Sequence, residues 1–381
     1  MNRINVMQPW LGDEEVAAVT EVIRSGWVAQ GPRVAEFEQA FARRMGAKYA
    51  VAVSSCTTAL HLALIVAGIG DGDDVVVPSF SFIATANAPT YVGARPVFAD
   101  VEVETGNVTA DTVKAALTDR TRAVIVVDQG GVPCDVAPIR ALCDPLGVVV
   151  IEDAACGAGS TYRGDPVGAG ADLACWSFHP RKLLTTGEGG MVTTCRPDWA
   201  DRARHLREHA MSVSASDRHR SVLPPAEEYT EVGFNFRMTD LQAAMGLVQL
   251  RRLDEIVARR RELAVRYREE LSDIPGLRCV ADPDYGTSNF QSFWVEVQAP
   301  FPLTRDELLV DLAADNVSAR RGIMAAHREP PYVGTSTVSL PVTERLTDST
   351  LILPLFHTLT LDDQDRVIER VLSAAGSTKG H

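Results

Sequence analysis

The chain has 381 residues, 46% of them hydrophobic and 23% charged, a composition that is typical of globular proteins and excludes a disordered or fibrous one. Its length predicts two domains. The formal net charge of −13 disfavours nucleic acid as a partner, because it would repel a phosphate backbone. No apolar run approaches the roughly 18 residues that span a membrane, and the seven scattered cysteines form no CxxC pair. We therefore expect a cytoplasmic protein with reduced thiols and no metal site.

In the first half of the chain, short apolar runs alternate with helical patterns. The apolar runs are YAVAVSS, DDVVVPSF, RAVIVVDQ and VVVIEDA, and helical patterns such as CTTALHLALIVAG lie between them. Repeated strand and helix units of this kind predict a three-layer α/β sandwich with a mostly parallel sheet. Runs such as AVIVV show no polar alternation, as expected for strands buried on both faces. ADLACWSF and GGMVTTC are candidates for two further, neighbouring strands.

The second half of the chain begins with a polar, Ser/Pro-rich stretch at residues 208–236, which predicts a long loop. A strongly helical segment follows, with Thr239 as its expected N-cap. Near the C-terminus, QSFWVEVQ predicts a strand, and TRDELLVDLAADN and DDQDRVIERVLSAAG predict helices. We therefore predict a large domain with N-terminal helices at residues 1–252 and a smaller α/β domain at residues 253–381.

Polar residues that directly follow an apolar run are the first candidates for a site, because open α/β sheets bind ligands beyond the carboxyl ends of their strands. The segment Ser54–Thr58 follows AVAV and begins a helix, so its N–H groups favour an anion such as phosphate. Ser and Thr are also common N-cap residues of helices that bind no ligand, so an ordinary helix N-terminus is an equal alternative for this segment. Glu152 and Asp153 end the run VVVI and would serve as a cap or a ligand, although no cluster with metal-ligand spacing accompanies them.

Two further places complete this set of candidates. Phe80 and Phe82, in PSFSF, belong either to the core or to an aromatic surface for a flat ligand. Lys182, in CWSFHPRKLLTTGEGGM, is either an exposed loop cation or an amine held between buried strands. Burial would lower the pKa of that amine and favour loss of its proton. A phosphate cradle, a carboxylate, an aromatic ring and such a lysine together match the needs of pyridoxal phosphate.

The same segments resemble a known family, the DegT/DnrJ/EryC1/StrS sugar aminotransferases of the fold type I pyridoxal phosphate enzymes. The resemblance covers nearly the whole chain and is carried, in order, by SSCTTALHLAL, DDVVVPSFSFIATANA, IEDAACGAG, WSFHPRKLLTTGEGGMVTT, GFNFRMTDLQAAMGLVQL, RRGIMAAHREPPY and ILPLFHTLTLDDQDRVI. It implies an aspartate aminotransferase-like fold with pyridoxal 5'-phosphate as the cofactor.

The resemblance also implies roles for individual residues. Lys182 would form the Schiff base with the cofactor and later move the proton between the substrate carbon and the cofactor. Asp153 would keep the pyridine nitrogen protonated, and Phe82 would stack on the ring. The other implied cofactor-binding residues are Cys56, Thr57, Cys156 and Ser177, with Asn235 reaching the phosphate of the neighbouring subunit. A site shared in this way implies a homodimer.

The implied reaction is a transamination from glutamate or glutamine to a keto sugar, which is nucleotide-linked in many relatives, or to a keto-cyclitol. The implied residues near the substrate are His179, Arg321, His327 and Tyr332. A nucleotide-linked substrate would need a basic pocket, for which Arg320, Arg321 and Arg328 are candidates.

Two departures from the family pattern leave the substrate open. Cys156 stands where many members have His or Gln, and Asp128 stands where many have His. The alternatives are a pyridoxal phosphate-dependent sugar dehydrase, a regulatory relative without catalysis, and an unrelated α/β binding protein. Lys182 and the intact phosphate turn disfavour the first two, and the third predicts no covalent cofactor.

Overall fold

A computed structural model describes residues 2–213 and 226–376 of the protein. Its strands are β1 Tyr49–Val53, β2 Asp74–Pro78, β3 Arg95–Ala99, β4 Thr121–Val127, β5 Val149–Asp153, β6 Thr161–Tyr162, β7 Asp165–Pro166, β8 Leu173–Ser177, β9 Gly190–Thr194, β10 Leu277–Cys279, β11 Gly286–Thr287, β12 Phe293–Val297, β13 Arg320–Arg321 and β14 Thr350–Leu353. Its α-helices are α1 Asp13–Ser25, α2 Pro32–Arg44, α3 Cys56–Val66, α4 Ile83–Tyr91, α5 Ala110–Ala116, α6 Val136–Cys143, α7 Pro197–Arg207, α8 Asp240–Arg251, α9 Leu253–Leu271, α10 Arg305–Ala314, α11 Pro341–Ser349 and α12 Leu361–Ala374.

Residues 214–225, which belong to the loop predicted at 208–236, lie outside the described residues. None of the described helices is both long and apolar enough to cross a membrane.

Seven strands form the larger sheet, in the order β1-β9-β8-β5-β4-β2-β3. The pairs from β8 through β5, β4 and β2 to β3 are parallel, and β9 runs against both of its neighbours, β1 and β8. The predicted mostly parallel sheet is therefore confirmed, and ADLACWSF and GGMVTTC do contribute neighbouring strands.

Helices cover both faces of this sheet, because successive side chains of each strand point to opposite faces. In β1, Val51 and Val53 pack with α3 and α4, whereas Ala50 and Ala52 pack with α2 and α8 on the other face. Helices α5 and α6 pack further along that second face. The three-layer sandwich is confirmed, as is the N-cap of α8, where Thr239 Oγ1 accepts a hydrogen bond from Gln242 N at 3.2 Å.

The second sheet, β10-β12-β14-β13, is antiparallel. Its core contains residues from β12, β14 and the helices α9, α10 and α12, including Tyr267, Phe293, Leu308, Leu351 and Val367. The chain's first residues also reach this sheet, since Ile4 forms an isolated parallel bridge with Val317. The strands β1, β2, β5 and β8 run in one direction, so their carboxyl ends lie at one edge of the larger sheet; we call the region beyond this edge the cleft.

Candidate active site

The N-terminus of α3 forms the first wall of the site. Ser55 caps the helix, and its Oγ accepts a hydrogen bond from Thr58 N at 3.1 Å. The first N–H groups of the helix, at Cys56 and Thr57, have no partner within the helix. Gly190 begins the adjoining strand β9 so close to this turn that a Cβ there would lie 2.7 Å from Cys56 N and closer still to the Ser55 carbonyl. The turn therefore requires glycine at position 190, and it presents donors suited to a phosphate.

Asp153 ends β5 and lies at the bottom of the cleft. Its Oδ2 accepts a hydrogen bond from Thr85 Oγ1 at 2.8 Å, and its Oδ1 accepts one from Ala155 N at 3.2 Å. The Cys56 thiol lies 3.8 Å from Oδ1. Burial raises the pKa of Asp153, although the Thr85 hydrogen bond and the charge of Lys182 act in the opposite direction. A cation placed at this carboxyl would relieve that burial cost.

Lys182 extends from the loop between β8 and β9 into the same cleft. Its Nζ donates a hydrogen bond to Cys156 Sγ at 3.0 Å. Burial favours a lower pKa for Lys182, but Cys156, Asp153 and Cys56 together outweigh burial and raise the pKa above its usual value. The prediction of a lowered pKa is therefore wrong for the protein without cofactor, because the spacing of the sequence does not show that acidic groups converge on the amine.

The remaining predicted cofactor residues differ in their exposure and in their local contacts. Phe82 is the N-cap residue of α4, and 64% of its surface is exposed, whereas Phe80 is buried. Phe80 therefore belongs to the core, and the interpretation as an aromatic surface for a ligand stays a prediction for Phe82. Ser177 ends β8, and its Oγ accepts a long hydrogen bond from His179 N at 3.4 Å. Asn235 is exposed and forms an isolated bridge with Glu208.

Two of the four predicted substrate residues lie beside the carboxyl end of β2. His327 Nδ1 shares a hydrogen bond with Ser79 Oγ at 2.7 Å, and its Nε2 lies 3.2 Å from Glu344 Oε1. Tyr332 Oη donates to Asn87 Oδ1 at 2.6 Å. The segment that carries both residues is attached to the sheet by a bridge between Ala325 and Phe80.

The other two predicted substrate residues have local partners. His179 Nδ1 accepts a hydrogen bond from Arg181 N at 3.1 Å, inside its own turn. Arg321 Nε donates to Asp306 Oδ1 at 3.1 Å, on the side of β13 that faces α10. The guanidinium of Arg321 is therefore neutralised by a residue of the adjacent helix α10.

Sequence reasoning missed several residues that form hydrogen bonds to the candidate site residues or to their backbone. Thr85 binds Asp153, Ser79 binds His327, and the Asn289 side chain donates to the carbonyls of Cys156 and Ala158 at 2.7 and 2.8 Å. A signal existed for Thr85, because it lies in the first turn of a helix that follows a buried strand. No comparable signal existed for Asn289, which is separated from Cys156 by 133 residues of the chain.

The group that these residues fit is pyridoxal phosphate. The turn kept open by Gly190 offers N–H donors for a phosphate, Asp153 offers a buried carboxylate for a ring nitrogen, and Phe82 offers an exposed aromatic face. Lys182 supplies an amine in hydrogen-bonding contact with the same cluster. These donors come from the ends of separate strands and are brought together by the parallel sheet.

Comparison with known proteins agrees with this geometry. The family model described as the DegT/DnrJ/EryC1/StrS aminotransferase family matches residues 9–372. The aminotransferase TlmJ from Streptoalloteichus hindustanus is 41% identical, with 98% of this chain and 99% of that chain covered at a TM-score of 0.90. DesV from S. venezuelae is 32% identical over all of both chains, with a TM-score of 0.90. Spr1654 from Streptococcus pneumoniae, solved in its PLP form, is 25% identical, with 98% and 99% covered and a TM-score of 0.91.

Proposed function

Because the chain belongs to the DegT/DnrJ/EryC1/StrS family of pyridoxal phosphate-dependent aminotransferases, we propose that it moves an amino group from glutamate or glutamine to a keto sugar or a keto-cyclitol. The observation that carries this proposal is the position of Lys182, whose Nζ lies 3.0 Å from Cys156 in a cluster that contains Asp153 and Cys56. A structural lysine would be neutralised at the surface, whereas this amine meets the groups that a carbonyl-binding cofactor needs.

Each of the site residues has a separate role in the proposed reaction. When bound, pyridoxal phosphate supplies an aldehyde for an amine and a ring that accepts electrons. Lys182 Nζ is the group that takes a proton from the substrate carbon and returns it. The Asp153 carboxylate holds a proton at the ring nitrogen, with Thr85 fixing its orientation. Phe82 covers the ring and excludes water, and the N-terminus of α3 binds the phosphate through Cys56 and Thr57, with Ser177 beside it.

The proposal extends to the assembly and the substrate side of the cleft. Asn235, exposed on one subunit, would reach the phosphate in the neighbouring subunit, so a cytoplasmic homodimer is the working unit. We also propose the division into domains at residues 1–252 and 253–381. His327 and Tyr332 would border the substrate, and His179 and Arg321 are weaker candidates because both have local partners.

Borohydride reduction tests the proposal directly. The purified protein should show a visible absorption band that borohydride abolishes, and mass spectrometry should locate a phosphopyridoxyl group on Lys182. The Lys182→Ala variant should carry no such group, and Lys48→Ala, which changes an exposed lysine, should behave like the wild type. An adduct at another residue, or none, would refute the proposal.

Turnover is tested by adding an amino donor first and a keto acceptor afterwards. Addition of glutamate or glutamine to the wild type should convert the visible band to a band at shorter wavelength, and a keto acceptor should restore it. Neither change should occur in Lys182→Ala. A protein that binds the cofactor at Lys182 but responds to no amino donor would be a regulatory relative instead of an aminotransferase.

A further inference from the structure

The loop that precedes β12 binds the two segments that carry Cys156 and Lys182. Asn289, which is fully buried, donates from its Nδ2 to the carbonyl of Cys156 at 2.7 Å. Gln291, which is also buried, donates from its Nε2 to the carbonyl of Arg181, the residue before Lys182, at 2.6 Å. The contact of 3.0 Å between Lys182 Nζ and Cys156 Sγ therefore joins two segments that are attached to the same short loop.

The peptide group that links Arg181 to Lys182 is held at both of its polar ends. Its carbonyl oxygen accepts the hydrogen bond from Gln291, and its N–H, which belongs to Lys182, donates to the carbonyl of His179 at 2.8 Å. Because a peptide group is planar, hydrogen bonds at its two ends fix the orientation of the whole plane. That plane sets the direction in which the Lys182 side chain leaves the backbone. Gln291 therefore limits where the Nζ atom can reach.

Phe290, between the two amide side chains, has a backbone conformation that needs support. Its φ is +47°, in the left-handed region that residues other than glycine rarely adopt. Such a conformation is unfavourable and persists only where the surroundings enforce it. Here Phe290 N donates to Ser288 Oγ at 2.9 Å, and Gln291 N donates to Asn289 Oδ1 at 2.7 Å. These bonds hold the loop in one conformation.

Arg260, in α9, binds the same loop through its guanidinium. The residue is 1% exposed. Its Nε donates to the carbonyl of Phe290 at 2.9 Å, and its Nη2 donates to the carbonyl of Gln291 at 2.8 Å. Among the described residues it forms no ion pair with a carboxylate. A buried charge is costly unless it is hydrogen-bonded, so the two carbonyls are what compensates for burial of this cation, and the loop and Arg260 depend on each other.

We propose that Gln291 and Arg260 are positioning residues for Lys182. The inference rests on the proposed function and adds residues that act without touching cofactor or substrate. A group that transfers a proton must lie within hydrogen-bonding reach of the atom that gives it up, and a displacement of about 1 Å can lower the rate about a hundredfold. Gln291 fixes the backbone from which Nζ extends, and Arg260 fixes the loop from which Gln291 extends.

The test compares Gln291→Met with a matched control, Gln364→Met. Both substitutions keep the length of a buried side chain and remove a donor, because Gln364 Nε2 donates to the carbonyl of Leu263 at 2.7 Å, away from the site. The measurement is steady-state kinetics of the enzyme with its cofactor bound, with the amino donor that the wild type accepts. Gln291→Met should lower kcat about tenfold and leave the KM for the donor unchanged. Gln364→Met should change neither.

Two further measurements detect displacement of the amine. The kinetic isotope effect with a donor deuterated at its α-carbon should rise in Gln291→Met, because proton transfer becomes slower relative to the other steps. In the cofactor-free protein, amide hydrogen exchange of residues 179–186 should be about tenfold faster, as expected for loss of one hydrogen bond. Arg260→Lys keeps the charge but cannot bind both carbonyls, and it should change both quantities in the same direction. Gln364→Met should match the wild type in both.

The other outcomes identify what failed. A kcat and an isotope effect equal to those of the wild type in Gln291→Met would overturn the inference, even if Arg260→Lys does not fold. An equal loss of kcat in Gln364→Met, with an equal loss of thermal stability, would reduce the role of Gln291 to general stability and would also overturn it. A raised KM with an unchanged isotope effect would make Gln291 a substrate-binding residue instead. Failure of the proposed function would appear separately, as a wild type without a Lys182 adduct or without any spectral response to amino donors.

Discussion

The Nζ atom of Lys182 lies 3.0 Å from the Sγ atom of Cys156, within hydrogen-bonding distance. Burial on its own would lower the pKa of the amine, but Cys156, followed by Asp153 and Cys56, raises it above the usual value. The Cys156 sulfur therefore accepts a hydrogen bond from the Lys182 amine within the cluster that also contains Asp153.

We expect the Cys156→Ala variant to have a more reactive Lys182 in the cofactor-free protein. Removal of the sulfur removes the largest influence that raises the pKa of Lys182, so more of the amine is neutral at pH 8. Each unit of decrease makes the neutral fraction about tenfold larger while the pH stays below the pKa. The measurement is the rate at which an amine-modifying reagent labels the Lys182 peptide, followed by mass spectrometry.

The control for this change is Cys195→Ala, which removes an exposed cysteine and should leave the labelling rate unchanged. A Cys156→Ala rate equal to that of the wild type would mean that Cys156 does not influence the amine.

Thr85 should control how well Asp153 supports the cofactor. The Thr85 hydroxyl donates to Asp153 Oδ2 at 2.8 Å, and this hydrogen bond opposes the rise that burial causes in the pKa of Asp153. Thr85→Val keeps the shape of the side chain and removes the donor, at a cost of about 1.5–3 kcal/mol for a hydrogen bond to a charged group. We expect cofactor affinity to fall about tenfold or more, measured by absorbance during titration of the cofactor-free protein.

Thr20→Val is the matched control for the Thr85 variant, because the Thr20 hydroxyl donates only to the Val16 carbonyl in its own exposed helix turn. Its cofactor affinity should equal that of the wild type. If Thr85→Val also binds the cofactor normally, the hydroxyl contributes to the fold and not to the carboxylate.

Gly190 should be intolerant of any side chain. A Cβ at this position would lie 2.7 Å from Cys56 N and closer to Ser55, so Gly190→Ala must displace the N-terminus of α3. Overpacking of this kind costs about 1–3 kcal/mol, and it also moves the N–H groups that are proposed to bind phosphate. We expect a lower thermal unfolding temperature together with weaker cofactor binding. Gly12→Ala, where no atom lies within 4 Å, should change neither, and normal cofactor affinity in Gly190→Ala would exclude α3 from the phosphate site.

The sequence predicts those parts of the structure that depend on the order of apolar and polar residues within a short segment. Buried parallel strands produce uninterrupted apolar runs, so β1, β4 and β5 and the polar residues that follow them could be located in advance. The direction of the pKa shift of Lys182 could not be predicted, because it depends on Cys156, Asp153 and Cys56, which come from different segments of the chain. The choice between Arg320 and Arg321 also could not be made, because β13 has only two residues and its register against β14 decides which one faces α10.

Asp128 and Glu152 form a buried pair of carboxyl groups near Asp153. Both side chains are almost fully buried and interact electrostatically, while Cys134 N donates to Asp128 Oδ1 at 3.0 Å. Burial, and then the repulsion of Glu152, raise the pKa of Asp128 well above its ordinary range, and burial raises that of Glu152 to about 7. The pair therefore places a titrating unit inside the fold.

The pair should make the protein less stable as the pH rises. In the unfolded chain these carboxyls lose their protons near pH 4, at about 3.9 for Asp and 4.3 for Glu. Above that pH the folded state binds more protons than the unfolded state, so the free energy of unfolding falls with rising pH, through about pH 7 for Glu152 and beyond it for Asp128.

Asp128→Asn keeps a hydrogen-bond donor toward Glu152 and removes one of the two ionisations. We expect this variant to unfold at a higher temperature than the wild type at pH 8, with a smaller difference at pH 5. Asp273→Asn, in an exposed loop, should show no such pH-dependent gain, and an Asp128→Asn curve parallel to that of the wild type from pH 5 to pH 8 would mean that the pair does not titrate in this range.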